Sequence, residues 1–356
     1  MVAAVALLAV LGAAVLAVTR GEAPPPGESR LGNAEVAARA VTFQGFAGLR
    51  LSGSLDLPAP GTTGPRPGVV IVPGFGQTTR DGVARSPGRV NALYRELGEA
   101  LAARGMVVLR YDKRGTGRSV PVPSDPPLEL AHHVEDAAAA LAYLRSLPEV
   151  DPARTAVVGH DQGGWVGLRL ASGGPVERPP AALVLVNTPG RPLGEVLAAE
   201  IRRGGLMGTA QRREELATEL ERAVATLLAT GSAPEVSSEL APALPADQPR
   251  YLQSIFALDA AAEAGGVAGP VLIVHGQRDL GIRDEDVKAL EAALAGTADV
   301  DVYHAAGAGH TLQLDPHDPD DPHRDTASGM GPGAAIPRDQ DALAAIGDWL
   351  ATMRPA

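Results

Sequence analysis

A short turn between a strand and a helix constrains this chain more than any other feature. Residues 157–164 have the sequence VVGHDQGG, in which an apolar strand runs into one polar side chain set between glycines, and an amphipathic segment follows at once. A turn this sharp requires glycine-like residues on both sides and exposes the central side chain at the top of the sheet. The layout is that of a nucleophile elbow, and its central residue is Asp161.

Strand and helix patterns alternate on both sides of this turn. Repeated βα units favour an α/β fold, with a mostly parallel eight-stranded sheet and helices on both faces. The short apolar runs among the predicted strands are typical of strands buried on both faces. The eight predicted strands are residues 41–43, 49–57, 69–72, 106–109, 155–158, 182–186, 271–274 and 300–303.

The alternation stops in residues 191–266, where only helical patterns occur. Helices inserted between two strands of such a sheet are expected to form a cap over the carboxyl ends of the strands, where ligands bind. The folded part is therefore predicted to consist of a first core segment at 40–190, the helical cap at 191–266 and a second core segment at 267–356.

The beginning of the chain has a different composition. Residues 2–19 carry no charge, consist mainly of Ala, Val and Leu, and are followed by Arg20. A segment of this length can cross a bilayer, so residues 1–20 predict a membrane anchor or an export signal. The protein is then expected to be exported, either anchored facing outward or secreted. Residues 21–39 include three consecutive prolines and predict a stiff linker.

Composition and the lack of certain motifs exclude several kinds of site. The chain has no cysteine, which excludes disulfides, thiolate nucleophiles and Cys-ligated metals. A net charge of −11 without a basic cluster argues against a nucleic-acid partner. No phosphate-binding or dinucleotide motif is present, and the acidic tract at 315–325 lacks a fixed ligand spacing. The expectation is a small-molecule substrate, no cofactor and no metal.

Two further polar residues follow later strands in the order expected of a catalytic triad. Asp279 comes just after the strand at 271–274, and His310 follows the strand at 300–303. An imidazole between a nucleophile and a buried acid has its tautomer fixed by the acid, which also stabilises the imidazolium. We interpret Asp161, Asp279 and His310 as the triad. The backbone N–H groups of Phe75 and Gln162 are the candidates for the oxyanion hole.

Several motifs together carry a family resemblance: PGFGQ at 73–77, RDG at 80–82, RYDKRGTGRS at 110–119 and GHDQGG at 159–164. From about residue 40 onward the chain resembles the exported esterase and serine aminopeptidase-like branch of the α/β-hydrolase superfamily. The resemblance implies the α/β-hydrolase fold and hydrolysis without a cofactor, and it places Asp279 and His310 at the acid and histidine positions. That family has serine at the position of Asp161.

Aspartate at the elbow resembles two other branches, the epoxide hydrolases and the haloalkane and haloacetate dehalogenases. In both, the carboxylate attacks carbon and forms an alkyl ester, which histidine-activated water then hydrolyses. Epoxide hydrolases use two cap tyrosines, whereas the predicted cap here has Tyr251 alone. Dehalogenases bind halide through N–H donors such as tryptophan, whereas Trp165 and Trp349 are expected to pack in the core. The substrate stays open between an epoxide, an alkyl halide and an ester.

Three interpretations of the site therefore remain. The first is a hydrolase that uses an Asp-His-Asp triad and a covalent ester intermediate. The second is an esterase-like hydrolase in which Asp161 and His310 position a water molecule. The third is a catalytically silent binding protein on the same fold. Direct attack of a carboxylate on an ester carbonyl gives an anhydride, so the first interpretation favours substrates with a displaceable group on an sp³ carbon.

Other polar residues near these motifs are interpreted as structural. Arg114 is expected to fix the shape of the loop after the second buried strand. His132 and His133 are expected to be a solvated or capping pair, and His160 is expected to pack under the sheet.

Overall fold

The computed structural model describes residues 36–59, 64–76, 78–82, 92–120, 126–205, 208–296, 299–314 and 337–355. The predicted anchor at 1–20 and the acidic tract at 315–325 lie outside these ranges, as does most of the predicted linker. Within the described ranges no helix is both long enough and apolar enough to span a bilayer.

One eight-stranded sheet organises the chain, with the strand order β1-β2-β4-β3-β5-β6-β7-β8. The strands are β1 (Ala37–Gln44), β2 (Arg50–Leu57), β3 (Arg66–Val72), β4 (Val107–Tyr111), β5 (Val150–His160), β6 (Ala182–Val186), β7 (Val271–Gly276) and β8 (Val300–Ala305). β2 pairs antiparallel with both β1 and β4, and all other pairings are parallel. The predicted fold class is confirmed.

Helices cover both faces of the sheet. They are α1 (Leu93–Ala103), α2 (Leu130–Arg145), α3 (Gln162–Ala171), α4 (Leu193–Glu200), α5 (Ala210–Thr230), α6 (Pro249–Phe256), α7 (Ala260–Ala264), α8 (Asp284–Leu294) and α9 (Gln340–Ala351). Successive side chains of a strand point to opposite faces. Val157 of β5 therefore packs on the face covered by α2 and α3, while Val158 packs on the face covered by α1 and α9. This two-sided burial explains why the central strands are apolar throughout.

The helices α4 to α7 lie between β6 and β7, where the sequence predicts the cap. Their apolar residues, among them Leu216, Leu220 and Leu252, are buried in the same core cluster as α2 and α3. The first strand, β1, begins at Ala37 and so takes in the last residues of the segment predicted as a linker.

Two buried ion pairs involve arginines at the end of β4 or just after it. The guanidinium of Arg114 donates to Asp136 over 2.8 and 3.0 Å and to the carbonyl of Phe46 over 2.9 Å, which is the loop-shaping role expected of it. Arg110 donates to both carboxylate oxygens of Asp56, over 2.6 and 2.8 Å. Their side chains are 4% and 1% exposed.

The Arg110–Asp56 pair gives a test of the fold. Asp56→Ala leaves the Arg110 guanidinium buried without its bidentate partner, so we expect a loss of about 3–5 kcal/mol in the free energy of unfolding. Glu149→Ala is the control, because Glu149 pairs with Arg39 at the surface and such pairs contribute at most about 1 kcal/mol. Urea denaturation followed by circular dichroism measures both, and equal losses would contradict the assignment.

Candidate active site

Asp161 occupies a strained turn between β5 and α3, with φ of 54° and ψ of −120°. Non-glycine residues rarely adopt positive φ, and such strain is concentrated at functional sites. The flanking glycines are required by contact distance. A Cβ on Gly159 would lie 2.2 Å from the carbonyl oxygen of Gly163, and a Cβ on Gly163 would lie 2.1 Å from that of Val72. A side chain at either position would clash with the backbone, so the elbow predicted from the sequence requires glycine at both.

The structure brings Asp161, His310 and Asp279 together, each just beyond the carboxyl end of a strand. The Nδ1 atom of His310 lies 2.7 Å from Oδ2 of Asp279, and its Nε2 atom lies 3.8 Å from Oδ2 of Asp161. Asp279 is buried, and its Oδ1 accepts hydrogen bonds from the N–H groups of Gly281 and Ile282. The acid therefore holds the imidazole with its second nitrogen toward the elbow.

Charge-charge interactions set the protonation of this group of residues. Burial works against the charged form of Asp279, but the nearby His310 and the two N–H donors outweigh it and lower the pKa of the carboxyl. Burial also works against imidazolium at His310, whose side chain keeps 32% of its surface exposed. The carboxylates of Asp279 and Asp161 outweigh that effect and raise the pKa of His310 well above its ordinary value.

The predicted oxyanion hole lies next to the nucleophile position. The N–H of Phe75 donates to Oδ2 of Asp161 over 3.0 Å. Gln162 is the first residue of α3, so its N–H belongs to the helix-terminal donors that have no partner within the helix. Gly74 leaves the space that the carboxylate needs, since a Cβ there would lie 2.9 Å from both Cβ and Oδ2 of Asp161.

Lys113, Gln162 and Tyr251 form a chain of polar contacts next to the elbow. The buried ammonium of Lys113 donates to the carbonyl of Gly74 over 2.5 Å and contacts Oε1 of Gln162 at 3.4 Å. The amide of Gln162 in turn donates to the hydroxyl of Tyr251, on α6, over 2.7 Å. Burial lowers the pKa of Lys113 to about 8, an effect that the charge of Asp161 partly offsets. Sequence reasoning did not identify Lys113 as part of the site.

Three further residues hold the loops of the site together. His160 is buried, as expected, and burial lowers its pKa to about 4. The neutral ring accepts from the Tyr94 hydroxyl at Nδ1 over 2.9 Å, and its Nε2–H donates to the carbonyl of His310 over 3.0 Å. The Tyr94 hydroxyl also accepts from the N–H of Gly74 over 2.9 Å. This path links the loop of Phe75 to the loop of His310.

Asn187, just after β6, completes this support. Its side-chain amide donates to the carbonyl of His310 over 2.6 Å, and its Oδ1 accepts from the N–H of Gly276 over 2.8 Å. The residue has φ of 43°, a conformation that asparagine tolerates better than most residues. Sequence reasoning missed both Tyr94 and Asn187. For Asn187 the available signal was a polar residue just after a buried strand, the kind of signal that identified Asp279, whereas Tyr94 lies within α1 and has no such signal.

Of two expectations about nearby side chains, the structure agrees with one and contradicts the other. Trp165 packs in the core at an edge-on angle to Phe75, as expected, and its indole N–H donates to the carbonyl of Pro189 over 2.8 Å. The expectation that His132 and His133 are solvated is wrong, because both are buried. His132 stacks on Phe46 and contacts the N–H of Glu129 at the start of α2, so the capping role does apply to it.

Comparison with known proteins places the chain in a family. Residues 69–327 match the model of the alpha/beta hydrolase family, and the chain belongs to that family. The expected superfamily is thus confirmed, and membership of a family of hydrolases supports the expectation of a hydrolase. A curated relative, esterase EstD of Thermotoga maritima, is 28% identical over 255 residues, which cover 71% of this chain and 55% of the relative. The chain therefore spans about half the length of that relative.

Solved structures support the fold. A hypothetical protein from Pseudomonas aeruginosa superposes with a TM-score of 0.55 at 18% identity, covering 89% of this chain and 94% of its own. The alpha/beta hydrolase GrgF from Penicillium sp. superposes with a TM-score of 0.51 at 19% identity, covering 77% of this chain and 91% of its own. At these identities the similarity concerns the fold alone.

The His310 imidazole gives a direct test of the site's electrostatics. In the wild type we expect NMR titration to place its pKa above the ordinary value of about 6.5. Imidazolium then stabilises the fold below pH ~6.5, and this stabilisation is lost as pH rises through the folded-state pKa. Asp279→Asn should lower that pKa, because the largest favourable charge is removed while burial remains. A pKa that does not change in Asp279→Asn would contradict the pairing.

Proposed function

We propose that this member of the alpha/beta hydrolase family is a hydrolase with an Asp161–His310–Asp279 triad that forms a covalent ester with its substrate. The proposed substrate is a small organic molecule with a strained carbon–oxygen bond at an sp³ carbon, the chemistry of an epoxide. Export, with a tether through residues 2–19, is proposed from composition alone.

The hydrogen bond from the Phe75 N–H to Oδ2 of Asp161 supports this proposal most strongly. In a serine-dependent esterase, the corresponding donor receives the carbonyl oxygen of the substrate. Here the nucleophile's own oxygen takes that place, so an ester carbonyl would compete with Asp161 for the donor. The second oxygen, Oδ1, is left to attack a carbon that needs no oxyanion hole.

The first half-reaction follows from this placement. Oδ1 attacks a ring carbon of the epoxide, and the ring C–O bond breaks as the new C–O bond forms. The product is an alkyl ester of Asp161 with an alkoxide, whose oxygen takes up a proton. Oδ2 becomes the carbonyl oxygen of this ester and keeps the Phe75 N–H as its donor.

The side chains around Gln162 favour an oxygen leaving group over a halide. The Tyr251 hydroxyl accepts a hydrogen bond from Gln162, which leaves its own proton for a developing alkoxide. Lys113, with a pKa lowered by burial to about 8, is a second proton donor on the same side of the elbow. Dehalogenases bind halide through donors such as a tryptophan N–H, whereas the indole N–H of Trp165 is bonded to the carbonyl of Pro189.

The second half-reaction needs neutral His310, and ester formation promotes that state. The carboxylate of Asp161 helps to raise the pKa of His310 in the free protein. Esterification removes this charge, so the pKa of the imidazole falls. The imidazolium proton passes to the group that protonated the alkoxide, and the neutral ring can then accept a proton from water. The resulting hydroxide attacks Cγ of Asp161, and the Phe75 N–H stabilises the negative charge on Oδ2. Collapse breaks the Cγ–Oδ1 bond, the leaving alkoxide takes the proton held by His310, and a diol is released with Asp161 as the free acid.

A second candidate is esterase-like hydrolysis in which Asp161 and His310 position a water molecule. The similarity to a protein named as an esterase favours it. The two candidates differ in the origin of the oxygen that enters the product: in the first it comes from Asp161, and in the second it comes from water.

Isotope labelling separates these candidates. With excess protein and styrene oxide in H₂¹⁸O, the first turnover should give an unlabelled diol and one ¹⁸O atom in the peptide that contains Asp161. Mass spectrometry of the diol and of that peptide provides the measurement. His310→Ala should accumulate the ester on the same peptide, because its hydrolysis loses the base. A labelled first product, or p-nitrophenyl ester turnover that survives Asp161→Ala, would exclude the covalent route.

The proton donor is tested separately. Tyr251→Phe should slow ester formation about a hundredfold or more, the usual contribution of general acid catalysis. Breakdown of the accumulated ester should stay unchanged, since Tyr251 has no part in that step. Tyr143→Phe is the control, because Tyr143 is partly buried, stacks on Phe43 and should not alter either step. Rapid-quench kinetics resolves the steps, and an unaltered rate of ester formation in Tyr251→Phe would exclude its role.

A further inference from the structure

A cluster of metal-ligating side chains lies outside the proposed catalytic residues, at the edge of the sheet. It consists of His275 near the end of β7, His304 near the end of β8, and Asp284 as the first residue of α8. His275 and His304 are direct partners in the parallel pairing of the two strands. The cluster therefore joins three elements through side chains that neither the proposed reaction nor the packing of the core uses.

The distances within the cluster suit a tetrahedral metal ion. Each residue offers one ligand atom, and these atoms lie within 4.8 Å of one another. Nδ1 of His275 lies 3.3 Å from Oδ1 of Asp284. Zinc bonds of about 2.0–2.1 Å at a tetrahedral angle place two ligand atoms about 3.3–3.4 Å apart. This pair of atoms is already at the spacing of two zinc ligands.

The burial and hydrogen bonding of the His275 ring are the second observation that points to a bound ion. Its side chain is 3% exposed, and its Nε2 atom lies 3.2 Å from the carbonyl oxygen of Ile282. A carbonyl accepts only from a protonated nitrogen, so Nε2 carries the hydrogen and the lone pair of the neutral ring is on Nδ1. Among the described residues that Nδ1 atom has no hydrogen-bond partner, although it is buried and directed toward Asp284.

We propose that His275, Asp284 and His304 bind a divalent transition-metal ion, with Zn²⁺ as the best match. Two imidazoles and one carboxylate are ligands that zinc takes readily, whereas Mg²⁺ and Ca²⁺ select oxygen atoms. The hydrogen bond from His275 to the carbonyl of Ile282 is the outer contact that usually orients a metal-binding histidine. Asp284 and His304 are exposed, so an ion can enter from solvent and keep a water molecule as its fourth ligand.

The ion would stabilise the loop that carries Asp279. His275 is bonded to the carbonyl of Ile282, and the N–H of Ile282 donates to Oδ1 of Asp279 over 3.2 Å. A metal at Nδ1 would therefore fix, through His275, one of the two backbone donors to that carboxylate. The proposal does not depend on the chemistry proposed for Asp161, because it concerns binding and stability of the loop.

A proton is the alternative occupant of this site. Protonated His275 would pair with the exposed carboxylate of Asp284 and need no metal. Zinc titration distinguishes the two, since metal binding requires the lone pair that protonation removes.

The test is isothermal titration calorimetry of the full metal-free chain with Zn²⁺, and with Mg²⁺ for comparison. Wild-type protein should bind Zn²⁺ at this site and should not bind Mg²⁺ there. Asp284→Asn and His304→Gln should each weaken zinc binding at least about tenfold. Glu285→Gln is the matched control, because Glu285 also lies in the first turn of α8 and is exposed. It should bind zinc as the wild type does.

Thermal unfolding provides a second readout. At the same zinc concentration, the unfolding temperature of the wild type and of Glu285→Gln should rise more than that of Asp284→Asn and His304→Gln. Both substituted side chains are exposed, so the fold should be kept, which circular dichroism verifies. No zinc binding by the wild type, or equal zinc binding by all four proteins, would overturn the proposal. Equal binding would place the ion at another group, such as the His310 site.

Discussion

The hydrogen bond from the Phe75 N–H to the carboxylate of Asp161 is the contact on which the arrangement of the site depends. It can form only because the elbow holds Asp161 at a positive φ and because Gly74 leaves room for the side chain. The bond makes the two oxygens of one carboxylate unequal. Oδ2 accepts the hydrogen bond from the Phe75 N–H, whereas Oδ1 takes no part in it. The two oxygens are therefore proposed to have different roles. Oδ1 attacks the substrate, and Oδ2 carries the negative charge when the ester is hydrolysed.

The remaining hydrogen bonds hold the loops of the site in place around the elbow. His160 connects Tyr94, and through it Gly74, to the carbonyl of His310, while Asn187 connects the same carbonyl to the end of β7. Each bond joins segments that are far apart along the chain. The imidazole is thus positioned from both sides, by Asp279 at Nδ1 and by these two residues at its backbone, before any substrate binds.

The sequence was sufficient for the fold and for the residues that meet at the elbow, because both depend on local patterns. Apolar runs between turns predicted the strands, and polar residues after three of them predicted Asp161, Asp279 and His310. The contacts of Lys113 and Tyr94 could not be predicted in this way. Each depends on which loop lies beside which, and that follows from a strand order that departs from chain order.

The cluster of His275, His304 and Asp284 could not be predicted from local sequence patterns either. Each residue is unremarkable within its own segment, and only the register of β7 and β8 places the two histidines opposite each other. For His132 and His133, the local pattern predicted exposure and was wrong. Two adjacent polar residues suggested exposure, but α2 lies between the sheet and α6, so both rings are buried.

The position of Oδ2 also determines which reagents can recognise this protein. Fluorophosphonates and boronic acids inactivate serine hydrolases by forming tetrahedral adducts on the serine oxygen, with one adduct oxygen held by the oxyanion hole. In this chain the Phe75 donor is already bonded to a carboxylate oxygen, and the elbow carries no hydroxyl. On the proposed mechanism, activity-based profiling with such reagents would overlook the protein, and electrophiles that alkylate carboxylates are the reagents that fit its geometry.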